Sequence, residues 1–207
     1  MLFYENLQVK LYESKLQKKI DFDFWFSSSI DIENEKGTLL DESYLNILKH
    51  VNGFKINWKA KEVDQAYGNV EFLELDVVQS SWEGVVYENR DLKINENLKF
   101  FRPFDQVSPE ILCGFIMKSD EVFDSIYLHN SGSVSLSYLD VNFEGYITML
   151  YEAKAYKNWP QILLYIQDDQ LENDLIKSFQ TDMLQLFSDF SWEIFVEKYE
   201  SLRLSKK

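Results

Sequence analysis

The sequence predicts an α+β fold with a mixed, largely antiparallel sheet that is flanked by helices and carries two C-terminal helices packed on its body. Apolar residues recur at helical intervals near both ends of the chain, whereas the stretch from Phe54 to Tyr138 holds short alternating or apolar runs. With 45% apolar and 16% aromatic residues, the 207-residue chain has enough material for a large core. No repeat or Pro-rich linker divides it, so we expect one domain over residues 1–207.

The first predicted elements are a helix, a strand and a second helix. Apolar residues at roughly helical intervals indicate the first helix, namely Phe3, Leu7, Leu11, Leu16 and Ile20. The strand is indicated by alternation of Phe22, Phe24 and Phe26 with polar residues. Asp41 is the expected N-cap of the second helix, which the Asn52–Gly53 pair is expected to end. The apolar face of that helix holds Tyr44, Leu45, Leu48 and Val51.

The sheet and the C-terminal helices are predicted from the remaining pattern. Six short runs predict strands: FKINW, NVEFLEL, WEGVVY, LKFFR, ILCGFIM and SIYL. Helical spacing returns in NFEGYITMLYEAKAY, and Pro160 is expected to break that helix. The segment QILLYI fits either a strand or a helix. Two amphipathic helices with a turn near Ser188 are predicted from Leu171, Leu175, Phe179, Met183 and Phe187, then Trp192, Phe195, Val196, Tyr199 and Leu202.

The charge of the chain bears on its partners. Lys and Arg total 21 against 35 Asp and Glu, a formal net charge of -14, which disfavours nucleic acid and anionic lipid surfaces as partners. Between Pro103 and Ala153 the sequence has one basic residue, Lys118, among eight acidic ones. We therefore predict a partner-binding site for a basic protein at Asp120, Glu121 and Asp124. An ordinary solubilising surface explains the same charges equally well.

Cysteine usage and the N-terminus favour a cytoplasmic protein. The single cysteine, Cys113, has no partner for an internal disulfide, and its apolar neighbours predict a buried thiol. The first ten residues lack a basic region followed by an apolar core, and no apolar stretch approaches the ~18 residues that cross a bilayer. We expect no membrane association.

The sequence has few of the motifs and residues that are typical of catalytic and metal-binding sites. The phosphate-binding, zinc-binding and acyl-transfer motifs are missing, and the chain has two histidines, His50 and His129. His50 is expected inside the second helix and His129 at a strand end, both in structural roles. A carboxylate pair such as Asp105 with Glu110 is too common to predict hydrolysis. An aromatic run at Phe100, Phe101 and Phe104 could line a ligand pocket, but such rings in a strand region are more often core residues, so we predict core packing. We therefore predict no catalytic residues, no cofactor, no metal and no enzyme activity.

Five blocks of the sequence resemble the SMI1/KNR4 (SUKH) superfamily in order and spacing. SYLNILKHVNGFKINW resembles the YxxFLxxxNG signature of that superfamily, with Tyr44, Leu48, Asn52 and Gly53 at the matching places. The later blocks are GNVEFLEL, RPFDQ, NFEGYITML and EAKAYKNWPQILL. The resemblance covers about residues 38–166 and leaves a C-terminal helical extension, residues 168–207, outside it. The chain departs from the pattern before Tyr44, where it has Asp-Glu-Ser instead of Leu-Pro.

The resemblance implies a function in protein binding. Bacterial members of the superfamily often act as immunity proteins that neutralise polymorphic toxins, and fungal relatives act as regulatory interaction proteins. We therefore expect an immunity protein that neutralises a basic toxin domain, with nuclease-type toxins as one candidate class. The alternatives are a regulatory or scaffold protein with another cellular partner and, third, a small-molecule enzyme. The sequence carries no signal for an oligomeric state.

Overall fold

The computed structural model describes residues 3–30, 42–118, 121–122 and 125–207. Its helices are α1 (Phe3–Leu16), α2 (Glu42–Leu48), α3 (Leu75–Gln79), α4 (Phe143–Glu152), α5 (Trp159–Gln167), α6 (Asp174–Leu186) and α7 (Trp192–Leu202). Its strands are β1 (Ile20–Phe26), β2 (Phe54–Ala60), β3 (Tyr67–Phe72), β4 (Phe101–Ser108), β5 (Ile111–Lys118), β6 (Glu121–Val122), β7 (Tyr127–Asn130) and β8 (Ser137–Tyr138). None of the helices in these ranges combines the length and apolar character needed to span a bilayer.

Seven strands form one antiparallel sheet in the order β1-β2-β3-β4-β5-β7-β8, and the two-residue β6 pairs with β5 beside this path. Strands that follow one another in the chain are therefore mostly neighbours in the sheet, as in successive hairpins. The register of β4 and β5 runs from Phe101 opposite Ile116 to Ser108 opposite Ile111, with two irregularities between them. The predicted α+β class, with its largely antiparallel sheet and C-terminal helices, is confirmed.

The chain forms two compact units. The first consists of Met1–Phe24, Ile56–Asn69 and Glu144–Lys207, and the second of Trp25–Lys55 and Val70–Phe143. Each unit has its own core of aromatic rings that pack on one another.

The core of the first unit joins β2, the α4–α5 connection and the two C-terminal helices. The Trp58 ring contacts the Phe187 ring edge-on at 5.6 Å between centroids. Tyr156 meets Phe179 of α6 at 5.2 Å, and Phe179 meets Phe195 of α7 at 5.1 Å. All five residues are buried. The C-terminal helices are therefore an integral part of this core.

The part of the sheet that belongs to the second unit is covered on both faces. On one face, Tyr44, Phe104, Phe115 and Phe143 form a ring cluster with centroid distances from 4.8 to 5.8 Å. On the other, a smaller cluster packs against Leu112; its buried members are Trp82, Val86, Tyr87, Leu98 and Phe101. Leu112 and Phe115 point to opposite faces of β5 because side chains alternate along a strand. Burial of Phe101 and Phe104 confirms that these two rings are core residues.

Four segments differ from the sequence prediction. The first three residues of LKFFR lie in a 3₁₀ helix, Glu96–Phe100, and only Phe101 and Arg102 belong to β4. α1 ends at Leu16, Lys18 takes a left-handed conformation with φ 61°, and Ile20 begins β1 instead of continuing the helix. The end of NVEFLEL turns into α3, where the N–H of Leu75 donates to the side-chain oxygen of Asn52 at 3.0 Å. WEGVVY forms no strand, since the N–H of Gly84 closes a tight turn by donating to the carbonyl of Tyr87.

Other predicted positions shift by a few residues. Pro160 lies in the first turn of α5, where proline needs no N–H partner, so QILLYI is helical. His50 lies in the turn after α2 and is exposed. Asp41, the predicted N-cap of α2, lies outside the described residues. Cys113 is fully buried in β5, as predicted.

Candidate interaction surface

The three predicted partner-binding residues lie in the chain between β5 and β7. Asp120 and Asp124 lie outside the described residues. Of Glu121 only the backbone is described, as the first residue of β6, where it pairs with Lys118 of β5. The acidic site at these three positions therefore stays a prediction.

Among the described residues between Pro103 and Ala153, two of the acidic side chains are buried. Asp105 and Asp140 are buried, whereas Glu110 and Glu144 are exposed. The Asp105 carboxylate accepts a hydrogen bond of 3.1 Å from the N–H of Glu71, which ties β4 to β3 beside a register shift in β4. Asp105 is therefore structural. A hydrolytic pair with Glu110 would need both carboxylates at a surface that a substrate can reach.

The two histidines occupy structural and solvent-exposed positions. His129 of β7 is 1% exposed, and its Nε2 lies 2.9 Å from the carbonyl oxygen of Ser133. The Nε2–H tautomer donates there, which leaves Nδ1 without a hydrogen-bond partner among the described residues. Burial lowers the pKa of His129, and the hydrogen bond to Ser133 raises it by less. His50 is exposed in the turn after α2.

Helix α1 carries two apolar stripes. One stripe, formed by Tyr4, Leu7 and Leu11, is buried in the first unit. The second lies on the opposite side at i, i+3 and i+7, where Val9, Tyr12 and Leu16 are 47%, 54% and 67% exposed. A surface helix normally has a polar face toward water, so a second apolar stripe marks a surface that is suited to a partner.

A groove runs between this second stripe and β1; we call it the α1–β1 groove. Its apolar lining comes from Val9 and Tyr12 of α1 and from Phe22 and Phe24 of β1, and its volume is about 530 Å³. The rings of Phe22 and Phe24 stack at 6.3 Å between centroids. Phe24 is 56% exposed although it lies on the same side of the strand as buried Ile20. The groove is therefore shallow and apolar.

Glutamates and a lysine border the α1–β1 groove. Glu5 lies in the first turn of α1 and is exposed. Glu13 also lines the groove and forms a salt bridge with Lys10, in which Nζ of Lys10 lies 3.3 Å from Oε2 of Glu13. Beyond the last turn, the ammonium of Lys15 lies over the Phe22 ring at 5.2 Å. The groove thus has an acidic group at its Glu5 end and a cation at its Lys15 end.

The end of α6 and the turn that follows it contact α1 and the residues just after it. The hydroxyl of Ser14 donates to the carbonyl of Leu186 at 3.4 Å, and Lys19 donates to the carbonyl of Gln185 at 3.0 Å. Lys10 forms a second salt bridge of 3.3 Å with Asp189. The C-terminal extension therefore positions the helix that forms one wall of the groove.

A buried lysine lies near the same turn. Lys154 is 3% exposed, and its ammonium donates to the carbonyl of Tyr151 at 3.2 Å and lies 4.5 Å from that ring. Burial lowers the pKa of Lys154, while the nearby carboxylates of Asp189 and Glu152 raise it. Lys154 is a structural part of this network, because its ammonium contacts the end of α4 itself. Nothing in the sequence pattern around KAYKNW indicated that it is buried.

Comparison with known proteins does not assign this chain to a family. No family model, no curated protein and no solved structure matches this chain. In the described parts of the chain, no group of three or more His, Cys, Asp or Glu side chains is arranged to hold a metal ion. The resemblance to the SMI1/KNR4 superfamily therefore stays a prediction from the sequence blocks.

The α1–β1 groove is not visible in the sequence pattern. Leu16 and Ile20 continue the apparent apolar face of Leu7 and Leu11, and this continuation hides the second stripe. Plotting α1 alone on a helical wheel separates Val9, Tyr12 and Leu16 from Leu7 and Leu11. The exposure of Phe24 had no such signal, because a strand with alternating phenylalanines normally buries that face.

Proposed function

We propose that this protein binds and neutralises a basic toxin domain, and that it does so in the cytoplasm as an immunity protein. The SMI1/KNR4 resemblance supports the immunity role. It is supported further by the buried, hydrogen-bonded positions of Asp105 and His129, which serve the fold and favour a role without catalysis.

The observation that carries the proposal is an exposed apolar surface on a strongly acidic chain. The α1–β1 groove exposes about half of each of Val9, Tyr12 and Phe24. Apolar patches of this kind on soluble proteins are commonly partner-binding sites. The net charge of -14 selects among partners, because a basic protein is attracted over long range and an acidic one is repelled.

A nuclease-type toxin fits these properties well. Enzymes that cleave nucleic acid carry basic surfaces, because they must bind a phosphate backbone. An acidic protein competes for the same surface and blocks access to substrate. The predicted residues Asp120, Glu121 and Asp124 would contribute to this electrostatic attraction.

A regulatory or scaffold role is the second candidate, since it would use the same kind of surface. The two functions differ in the partner. An immunity protein is encoded next to a large secreted protein with a variable C-terminal domain, and it protects the producing cell from that domain.

Co-expression tests the proposal directly. The C-terminal domain encoded by the adjacent gene is expressed in a bacterial host with and without this chain, and growth is measured. We expect growth arrest without the chain, rescue with it, and a stable complex of the two in size-exclusion chromatography. Growth arrest that the chain does not relieve, with no complex formed, would contradict the immunity role.

A further inference from the structure

We propose that the β7–β8 loop, residues 131–136, is an acid-sensitive flap, which His129 holds against the sheet at neutral pH and which opens locally when His129 is protonated. All of the residues involved belong to the second unit. The opening needs no partner, so it is a conformational property of the chain that is independent of the proposed binding role.

His129 joins the loop to the sheet. Its ring is 1% exposed, and Nε2 lies 2.9 Å from the carbonyl oxygen of Ser133 in the loop. On the sheet side, His129 lies opposite Leu112 of β5, and its ring centroid lies 6.0 Å from that of Phe101 of β4. The loop is therefore tied to the sheet through a buried ring that can gain a proton.

A second proton on this ring has no acceptor. Because the Nε2–H donates to Ser133, protonation places the new hydrogen on Nδ1, which has no hydrogen-bond partner among the described residues. A buried donor without an acceptor, on a ring that has become charged, destabilises the state that buries it. Opening of the loop admits water to Nδ1. Protonation of His129 therefore favours the open loop.

The surroundings of His129 set the direction of its pKa shift. Ionisable side chains on the surrounding elements include Tyr127 of β7, Tyr138 of β8, Tyr87 in the segment before β4, Arg102 of β4 and Glu110 in the β4–β5 turn. The pKa of His129 is lowered by burial and raised by less through Ser133, and none of these five side chains contributes to the shift. The charged neighbours therefore do not offset the effect of burial.

The sign of the pH dependence follows from this shift. In the closed loop the pKa of His129 lies below the ordinary value of 6.5, whereas the hydrated ring of the open loop has the ordinary value. The closed loop is therefore fully favoured above pH 6.5. It loses stability as the pH falls through the window between the two pKa values.

The structure around the loop permits local opening. A second tie is a hydrogen bond of 3.0 Å from Nδ2 of Asn95 to the carbonyl of Val134, and Val134 and Leu136 are partly buried against the cluster around Trp82. Beyond the loop, β8 pairs with β7 over two residue pairs. Gly132 has a positive φ of 77° and borders a cleft of about 190 Å³. Opening this edge breaks less structure than unfolding the second unit, so it requires less free energy.

Hydrogen exchange of backbone amides, followed by NMR on the full chain, measures the opening. The reporters are the N–H groups of Ser131 and Ser133, which donate to the carbonyls of Glu110 and Asn130 at 2.7 and 2.9 Å. We expect their protection factors to fall about three- to thirtyfold between about pH 7.5 and about pH 5. Reporters without protection at the higher pH, or with protection that does not depend on pH, would overturn the proposal.

Urea separates local opening from unfolding of the whole unit. The reference amide is that of Leu73, which donates to the carbonyl of Phe104 at 2.9 Å. Complete unfolding exposes far more surface than local opening, so ~1 M urea should lower the protection of Leu73 and leave that of Ser131 and Ser133 nearly unchanged. The two reporters should also be at least about tenfold less protected than Leu73. The same urea dependence for all three amides would contradict local opening.

Three variants test whether His129 controls the loop. His129→Gln can still donate to the Ser133 carbonyl but does not titrate, so the protection of Ser131 and Ser133 should change less than about twofold between the two pH values. His50→Gln removes an exposed ring and should keep the full change. Asn95→Ser removes the second tie and should lower protection by a similar factor at both pH values.

Titration of the His129 ring in the original protein tests the proposal even if His129→Gln does not fold. The NMR signal of the ring Cε1–H should give a pKa below 6.5, and the two reporters should lose protection over the same pH range. A His129 pKa at or above 6.5, or a loss of protection in His129→Gln equal to that of the original protein, would overturn the proposal.

Discussion

The indole Nε1 of Trp58 donates a 2.6 Å hydrogen bond to the main-chain carbonyl of Lys154. Trp58 lies in β2, and Lys154 lies in the α4–α5 connection, where Lys154 and Ala155 both have positive φ angles. Gly68 of β3 passes beside the indole so closely that a Cβ there would overlap Nε1. The bond satisfies a buried carbonyl in a strained connection, so it holds together the centre of the first unit.

Replacing Trp58 tests the value of this bond. Trp58→Phe leaves the Lys154 carbonyl without its donor, and Trp159→Phe is the control, because buried Trp159 has an Nε1 with no hydrogen-bond partner among the described residues. Both changes remove similar volume. We expect Trp58→Phe to lower the free energy of unfolding in urea by about 1–2 kcal/mol more than Trp159→Phe. Equal losses would show that the bond contributes nothing to stability.

The C-terminal helices should be required for folding. Their buried residues are Ile176, Phe179, Met183, Leu186, Phe187, Phe195 and Tyr199. Loss of this burial removes on the order of 10 kcal/mol, which is comparable to the total stability of a domain. We expect truncation after Gln167 to abolish cooperative thermal unfolding and to reduce solubility. Truncation after Leu202 removes no buried side chain and should leave the melting temperature unchanged. The same melting temperature for both truncations would contradict an integral role.

The free energy of unfolding should decrease as the pH drops below about 6.5, because of His129. Burial lowers its folded pKa below the ordinary value of 6.5, so the unfolded chain binds the proton more readily. The stabilisation is therefore complete above pH 6.5 and is lost as the pH falls through the window between the unfolded and folded pKa values. Within that window the free energy of unfolding changes by at most about 1.4 kcal/mol per pH unit.

Urea unfolding of two variants between about pH 5 and pH 8 measures this contribution. His129→Gln keeps a donor for the Ser133 carbonyl and removes the titrating ring, so its stability should depend less steeply on pH than that of the original protein. His50→Gln removes an exposed ring and is the control. A pH dependence of His129→Gln identical to that of the original protein would exclude His129 as its source.

Periodicity predicted the elements whose burial follows their own local pattern. Helices α4, α6 and α7 and strands β2 and β5 were predicted in this way, because their apolar residues repeat at the interval of the element they form. The start of α3 was missed because the group that caps it, the side chain of Asn52, lies far away in sequence. Burial of Asp105 was missed for the same reason, since its donor lies on another strand.

The candidate site was less predictable than the fold. The sequence pointed to Asp120, Glu121 and Asp124, because charge composition is visible without a structure. The α1–β1 groove is lined by residues of two elements, so it is not visible in the local pattern of either one. Phe24 is exposed in a strand whose alternating phenylalanines predict burial of that face.

Association kinetics test whether the proposed basic partner is attracted to this acidic chain by long-range electrostatics. Surface plasmon resonance against the toxin domain of the adjacent gene compares the original protein, the triple variant Asp120→Lys/Glu121→Lys/Asp124→Lys, and a control with Glu62→Lys, Asp64→Lys and Glu197→Lys. The control reverses three exposed acids and changes the net charge equally.

We expect the association rate of the original protein to fall steeply between low and physiological salt, where the screening length shrinks to ~8 Å, with little change in the dissociation rate. At low salt the triple variant should associate at least about tenfold more slowly than the control, with an unchanged circular dichroism spectrum. Association rates that do not depend on salt, and are the same in the triple variant and the original protein, would contradict the account.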